Sequence, residues 1–241
     1  GKAPELSIPE FSDLIRKDSA FGYRSSEKAR IGVADDEAFC FFYADNLSLL
    51  EQMGAELVHF SPIHDTELPG DLDGLLLCGG YPELNGKALE ENQEMCSSIR
   101  KAVEGGMPCL AECGGFMYLH QEMEDMEGNF RKVCGVIPGR SFRTPKLTRF
   151  GYIALTEKKD SGLGEIPAHE FHYFDSTDCG TDFHASKPAS TRGWDCMHYE
   201  GRLMAGFPHL YYYGNPKVPV HFLKNALEYK KERRQKKDAE I

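Results

Sequence analysis

A chain of 241 residues, 41% hydrophobic and 27% charged, can bury one large α/β core or two small ones. The formal net charge of -10 argues against a broad phosphate-binding face, so no nucleic-acid partner is expected. No signal peptide is visible, and apolar runs such as GLLLCGG are too short to span a bilayer, so no membrane partner is expected.

Residues 1–29 read as a polar linker or arm, with one short helix around Phe11 to Arg16. RIGVA (30–34) then reads as a buried strand. YADNLSLLEQMG follows as a helix, with Asp45 or Asn46 as its cap and Gly54 as its stop, and AELVHF as the next strand. DGLLLCGG is a third strand, closed by Gly79 and Gly80. ALEENQEMCSSIRKAVEGG is one long amphipathic helix, MPCLA a fourth strand, and GGFMYLHQEM the helix after it, carrying His120. Strands alternating with helices of this length imply a mostly parallel sheet with helices on both faces. After Gly128 the runs KVCGVIPG, FGYIALTE, HEFHYF, DCMHYEG and RLMAGFP are short and turn-separated. They are expected as an added antiparallel β region. A basic helix, VHFLKNALEYKKERRQKK, closes the chain, and 30–241 reads as one domain.

The eight cysteines are scattered and include no C-x-x-C pair, which argues against a disulfide framework or a structural zinc site. Cys40, Cys78 and Cys109 sit in apolar runs, where a thiol acts as a small hydrophobe. The compartment implied is reducing and cytoplasmic.

In CLAECGGFMYLH, Cys113 follows an apolar strand and precedes a helix. A tight core turn, half a metal site and a nucleophile on an elbow all fit that pattern. Gly114 and Gly115 permit the sharp turn that a nucleophile elbow needs. The unpaired N–H groups of the following helix favour an anionic sulfur, and the Gly114 amide can point at a developing oxyanion. A second Gly-rich turn, CGGYPEL, ends the third strand at the same edge, with Gly80 and Tyr81 as further amide donors. Of the nine histidines, His209 is the expected base, because it follows the apolar strand RLMAGF at a sheet edge. Glu170 and His172 in HEFHY share a face, a weak hint of metal that no further ligand cluster completes, so no metal is expected.

GLLLCGGYPEL, AECGGFMYL, VIPG, RFGY, HEFHY and PHLYYYGNP occur in one order along the chain. From about Arg30 onward this order resembles the C-terminal glutamine amidotransferase domain of cobyrinic acid a,c-diamide synthases. The resemblance implies a class I (triad-type) glutaminase on a flavodoxin-like α/β fold, with Cys113 as nucleophile, His209 as its activating base, and Gly80 and Gly114 at the oxyanion hole. It implies glutamine as substrate, hydrolysed through a Cys113 thioester. The ammonia would pass to an N-terminal ATP-dependent synthetase domain that binds the corrin acceptor and amidates its a and c acetate side chains. No P-loop-like phosphate cradle occurs in the chain, so ATP and Mg are expected in that missing domain and no cofactor in this one. The non-Met start and polar opening are read as those of an excised C-terminal domain.

Three positions depart from related enzymes. Tyr211 stands where many carry a Glu two residues after the histidine, which implies a Cys–His dyad, with Glu170 as a candidate third member. Met117 replaces a common Gln, so substrate contacts there differ. Arg149, in RFGY, is a candidate partner for the glutamine carboxylate, a surface Arg being the alternative. Alternatives are the equivalent domain of cobyric acid synthase or of another tetrapyrrole diamide synthase, a cysteine hydrolase of a different amide, and a non-catalytic binding module.

Overall fold

Strand β1 (Ala29–Ala34) leads through α1 (Ala44–Gln52) into β2 (Ala55–Phe60). Strand β3 (Gly74–Leu77) leads through α2 (Gly86–Glu91) and α3 (Gln93–Glu104) into β4 (Cys109–Glu112), and α4 (Gly114–Leu119) follows. The computed structural model describes residues 19–159, 161–188 and 190–239. The helix expected around Phe11 to Arg16 lies outside the described residues. Of the expected arm, Phe21 is buried and its ring lies 5.9 Å from that of Tyr213, so this part packs on the domain.

The second half is β-rich: β5 (His120–Glu124), β6 (Phe130–Lys132), β7 (Ile137–Arg143), β8 (Arg149–Glu157), β9 (Glu165–His172), β10 (Phe174–Ser176), β11 (Phe183–Ser186), β12 (Gly193–Cys196), β13 (His198–Glu200), β14 (Leu203–Gly206) and β15 (His209–Leu210). Helix α5 (Lys217–Ala239) closes the fold.

A six-stranded sheet in the order β13-β14-β4-β3-β1-β2 forms the centre, parallel throughout except for β13. The alternation of a strand explains its two-sided burial. Leu75 and Leu77 pack with Leu89, Met95 and Ile99 of α2 and α3, whereas Leu76 packs with Leu49 and Leu50 of α1 and Phe222 and Leu223 of α5. Each such leucine contributes roughly 1.5–3 kcal/mol by leaving water. Helices therefore cover both faces, as the βαβ reading requires. Two smaller sheets, β10-β7-β5-β6 and β12-β11-β8-β9-β15, flank the centre.

The structure corrects five local expectations. The long helix is two helices, because Asn92 (φ -90°, ψ 60°) leaves the helical region and caps α3, its side chain accepting the N–H of Met95. The same amide donates to the carbonyls of Pro62 and Asp65, which ties down the preceding loop. The helix after Cys113 stops at Leu119, and His120 opens β5, its ring bridging the Phe116 carbonyl (2.9 Å) and the Ser176 hydroxyl (2.6 Å). RLMAGF belongs to the parallel sheet, β14 pairing parallel with β4, rather than to the antiparallel region. Neither Asp45 nor Asn46 caps α1: the cap is Tyr43, without a side-chain bond. Cys40 is exposed, while Cys78 and Cys109 are buried as expected.

Candidate active site

Cys113 lies at the carboxyl end of β4 with φ 49° and ψ -102°, a left-handed conformation that costs a residue with a Cβ free energy. Two backbone bonds hold it there: Cys113 N donates to Gly206 O (2.8 Å), and its own carbonyl accepts from Met117 N (2.9 Å). Gly115 lets the helix close on β3, since a Cβ there would stand 2.1 Å from Leu77 O. The apolar strand, the strained residue and the two glycines together form a strand–elbow–helix unit.

The CGGYPEL turn meets this elbow. Gly80 has φ +154°, and a Cβ on it would stand 2.1 Å from Ala38 O. Tyr81 N already donates to Ala38 O (2.9 Å), so of the two amides expected as donors only that of Gly80 is left by this turn. The Cβ direction of Gly114 ends 3.0 Å from Gly80 N, which places the two backbones side by side. Gly114 opens a helix, so its N–H has no partner within that helix.

His209 reaches the same place from β14 through Phe207 and Pro208. It is buried at 6% exposure, and its ring stands edge-on to Phe41 with centroids 4.7 Å apart. Gly79 makes room for it, since a Cβ there would stand 2.5 Å from its Cε1. Glu112, the residue before Cys113, places Oε2 3.7 Å from His209 Nδ1 and accepts the Leu210 N–H on Oε1 at 3.3 Å. Burial pulls the His209 pKa down, but the Cys113 sulfur and the Glu112 carboxylate outweigh it and raise the value from 6.5 to about 10. Asn46, buried in α1, fixes the segment beyond: its amide donates to Leu210 O (2.8 Å) and accepts from Tyr212 N (2.9 Å).

Phe41, Gly80, Tyr81, Cys113, His169, Phe171 and His209 line a cavity of about 190 Å³. A second lobe of about 290 Å³ shares His169 and His209 and adds Tyr43, Tyr152, Pro167, Ala168 and Tyr211. Of the residues expected from sequence, Cys113, His209, Gly80, Gly114 and Tyr81 thus come together. Glu170 does not. His209 pairs with His169 in antiparallel register, so both rings share one face of the sheet and Glu170 projects from the other, fully buried beside His172 at 3.9 Å. Arg149 is on that other face too: it pairs with His172, and its guanidinium lies over the Trp194 ring at 4.9 Å. Met117 is buried in the core and lines neither lobe. Asn46, His169 and Phe41 were not legible as site residues because packing between distant segments brings them in, and Glu112, though next to Cys113, is marked only by its contacts with His209 and Leu210. Among the described residues, no group of three or more His, Cys, Asp or Glu is placed to hold a metal ion, and no helix is long and apolar enough to cross a membrane.

Residues 30–216 match the CobB/CobQ-like glutamine amidotransferase domain. The chain is 40% identical over 207 residues to a cobyrinate a,c-diamide synthase of Caldanaerobacter subterraneus subsp. tengcongensis, covering 83% of this chain and 45% of the relative. It is 36% identical over 245 residues to that of Priestia megaterium, covering 97% of this chain and 51% of the relative. The chain therefore spans about half the length of the curated relatives it matches. A crystal structure of a glutamine amidotransferase shares the fold with a TM-score of 0.58 at 18% identity, covering 81% of this chain and 98% of that one. The structure of PurLQS from Thermotoga maritima does so with 0.55 at 16% identity, covering 84% and 99%. The mostly parallel central sheet is thus the flavodoxin-like sheet of class I glutamine amidotransferases, and the chain belongs to the family of CobB/CobQ-like glutamine amidotransferase domains.

Proposed function

We propose that this chain is the glutaminase half of a cobyrinic acid a,c-diamide synthase. Cys113 attacks the side-chain amide carbon of glutamine as the thiolate, His209 holding the proton. The oxyanion that forms sits between the amides of Gly80 and Gly114. His209 then gives its proton to the departing nitrogen, and ammonia leaves behind a glutamyl thioester. Water, deprotonated by His209, attacks the thioester carbon, the C–S bond breaks, and glutamate and the Cys113 thiolate result. The observation that carries this reading is the strained elbow of Cys113 facing His209 in a cavity also lined by Gly80.

The ammonia is consumed by an ATP-dependent synthetase half, where ATP, Mg and the corrin acceptor bind and the a and c acetate side chains are amidated. The names of the relatives and the half-length match support that division. The cavity mouth supports docking of such a half. Tyr81, Phe150, Tyr152, Phe171 and Tyr211 are exposed there, with Phe150 and Phe171 rings 5.7 Å apart and Tyr152 at 77% exposure.

The test is labelling with a diazo-ketone analogue of glutamine, read by mass spectrometry. One adduct at Cys113, absent from Cys113→Ser, is expected. No adduct on the folded, partner-bound protein overturns the reading. Ammonia release from glutamine is expected to be weak for this chain alone and to rise when the synthetase half, ATP, Mg and cobyrinic acid are added. A rise with a different tetrapyrrole and none with cobyrinic acid would reassign the acceptor.

A further inference from the structure

The Glu112 carboxylate grips the His209 segment at two points, the Leu210 N–H on Oε1 and the ring Nδ1 facing Oε2. It is 7% exposed, and it stands one peptide bond from Cys113 at the end of β4. Residue 211, two positions after the histidine, is Tyr, with its side chain partly in solvent. Glu170 is on the opposite face of the β9 strand, as described above.

The groups around this pair leave few countercharges for a charged ring. Burial pushes Cys78 and Tyr212 well above their ordinary values, and raises Tyr43 as well, so all three stay neutral near pH 7. Burial and the nearby His209 lower His169, which carries a further cation, Lys187, in its surroundings. Among the described residues, those that raise the His209 value and so favour its imidazolium are Cys113, through its sulfur, and Glu112. When the sulfur becomes a neutral thioester, the carboxylate is left as the balancing group.

We propose that Glu112 is the positioning residue of this site: by facing Nδ1 of His209 and anchoring Leu210, it fixes the ring so that Nε2 serves the thiol, and it stabilises the imidazolium. The inference rests on the reading of Cys113 and His209 as the glutamine-hydrolysing pair. The third member thus comes from the residue before the nucleophile rather than from beyond the histidine. The transferred proton passes from the thiol to Nε2 and on to the departing nitrogen, while the Nδ1 proton stays on the ring, donating toward Oε2, and no proton passes to Glu112. The 3.7 Å separation is an ion-pair distance beyond hydrogen-bond length, and catalytic contacts are often this long before substrate binds.

The experiment is steady-state glutamine hydrolysis across pH by the wild-type chain, Glu112→Gln and Glu112→Asp, with carbon-13 histidine NMR of His209. Gln keeps the shape and the acceptor for Leu210 N–H but removes the charge. The expected result is a fall in kcat of about tenfold to hundredfold with KM within about twofold, and a drop of about one unit or more in the His209 titration midpoint. Partial recovery in Glu112→Asp is expected with it. Glu112→Gln at wild-type kcat with an unchanged His209 midpoint overturns the proposal. If Glu112→Gln does not fold, the wild-type spectrum decides. An ordinary His209 midpoint, with Nδ1 unprotonated in the neutral form, overturns it, and a raised midpoint with Nδ1–H retained supports it. A wild-type chain that neither hydrolyses glutamine nor labels at Cys113 removes the underlying reading instead, independently of Glu112.

Discussion

His209 faces His169 directly across the antiparallel pair formed by β15 and β9. Burial, then the charge of His209, lowers the His169 pKa from 6.5. His169 is therefore expected to be neutral at pH 7, and replacing His209 by Gln should raise its titration midpoint toward the ordinary value. Histidine NMR of both proteins measures this. A His169 midpoint indifferent to His209 would mean that the two rings do not sense each other.

Asn46 illustrates a residue whose role follows from its partners rather than its position. Asn46→Ala leaves the Leu210 carbonyl and the Tyr212 N–H without a buried partner, at an expected cost of about 1–3 kcal/mol. Urea unfolding reads the stability, and glutamine hydrolysis reads the loosened His209. Wild-type values in both would refute the clamp.

At Gly80 two penalties coincide, a backbone near φ +154° and a Cβ position 2.1 Å from Ala38 O. Gly80→Ala should abolish glutamine hydrolysis and lower the melting temperature. Gly201 is the control, since its φ is +59° with nothing within 4 Å of a Cβ. Gly201→Ala should cost about 1–2 kcal/mol of strain alone and leave hydrolysis intact. Equal effects on activity at the two positions would argue against a special role for the Gly80 turn.

Arg149 lies behind the site, over Trp194, with its Nη1 buried and without a hydrogen-bond partner among the described residues. Because Arg149 lines neither lobe of the cavity, Arg149→Met should leave KM for glutamine within about twofold. A KM raised tenfold or more would restore it as a carboxylate partner.

The pH dependence of stability carries its own sign. The folded His209 value of about 10 lies above the ordinary 6.5, so the folded state holds the proton more tightly. Its contribution is complete below about pH 6.5 and disappears as pH rises through about 10. The unfolding free energy of the wild type relative to His209→Gln should shrink over that window. A constant difference across it would contradict the raised value.

The elbow, the two Gly turns and the histidine were legible because each lies at the end of an apolar strand, where local chemistry dictates the backbone. The parallel sheet was legible from the alternation of strands and helices. What escaped depends on contacts distant in sequence. Asn46 looks like a helix cap, and only its packing against the 210–212 segment reveals the clamp. The period-two reading correctly put Glu170 and His172 on one face, but which face lined the cavity depended on the register with His209, which a single strand does not encode. The helix assigned beyond Leu119 failed because His120 satisfies both ring nitrogens in a strand, a tertiary bond overriding local propensity.

Cys113 ends a strand of the central sheet, whereas His209 belongs to the flanking five-stranded sheet, one short step after β14 leaves the centre. The two are joined across a seam. A half-folded chain with its central sheet complete and its flank undocked would display the thiol without the His209 ring, its partner in the proposed mechanism. On the proposed mechanism, reactivity of Cys113 would be a certificate of finished assembly, issued only when both sheets have met.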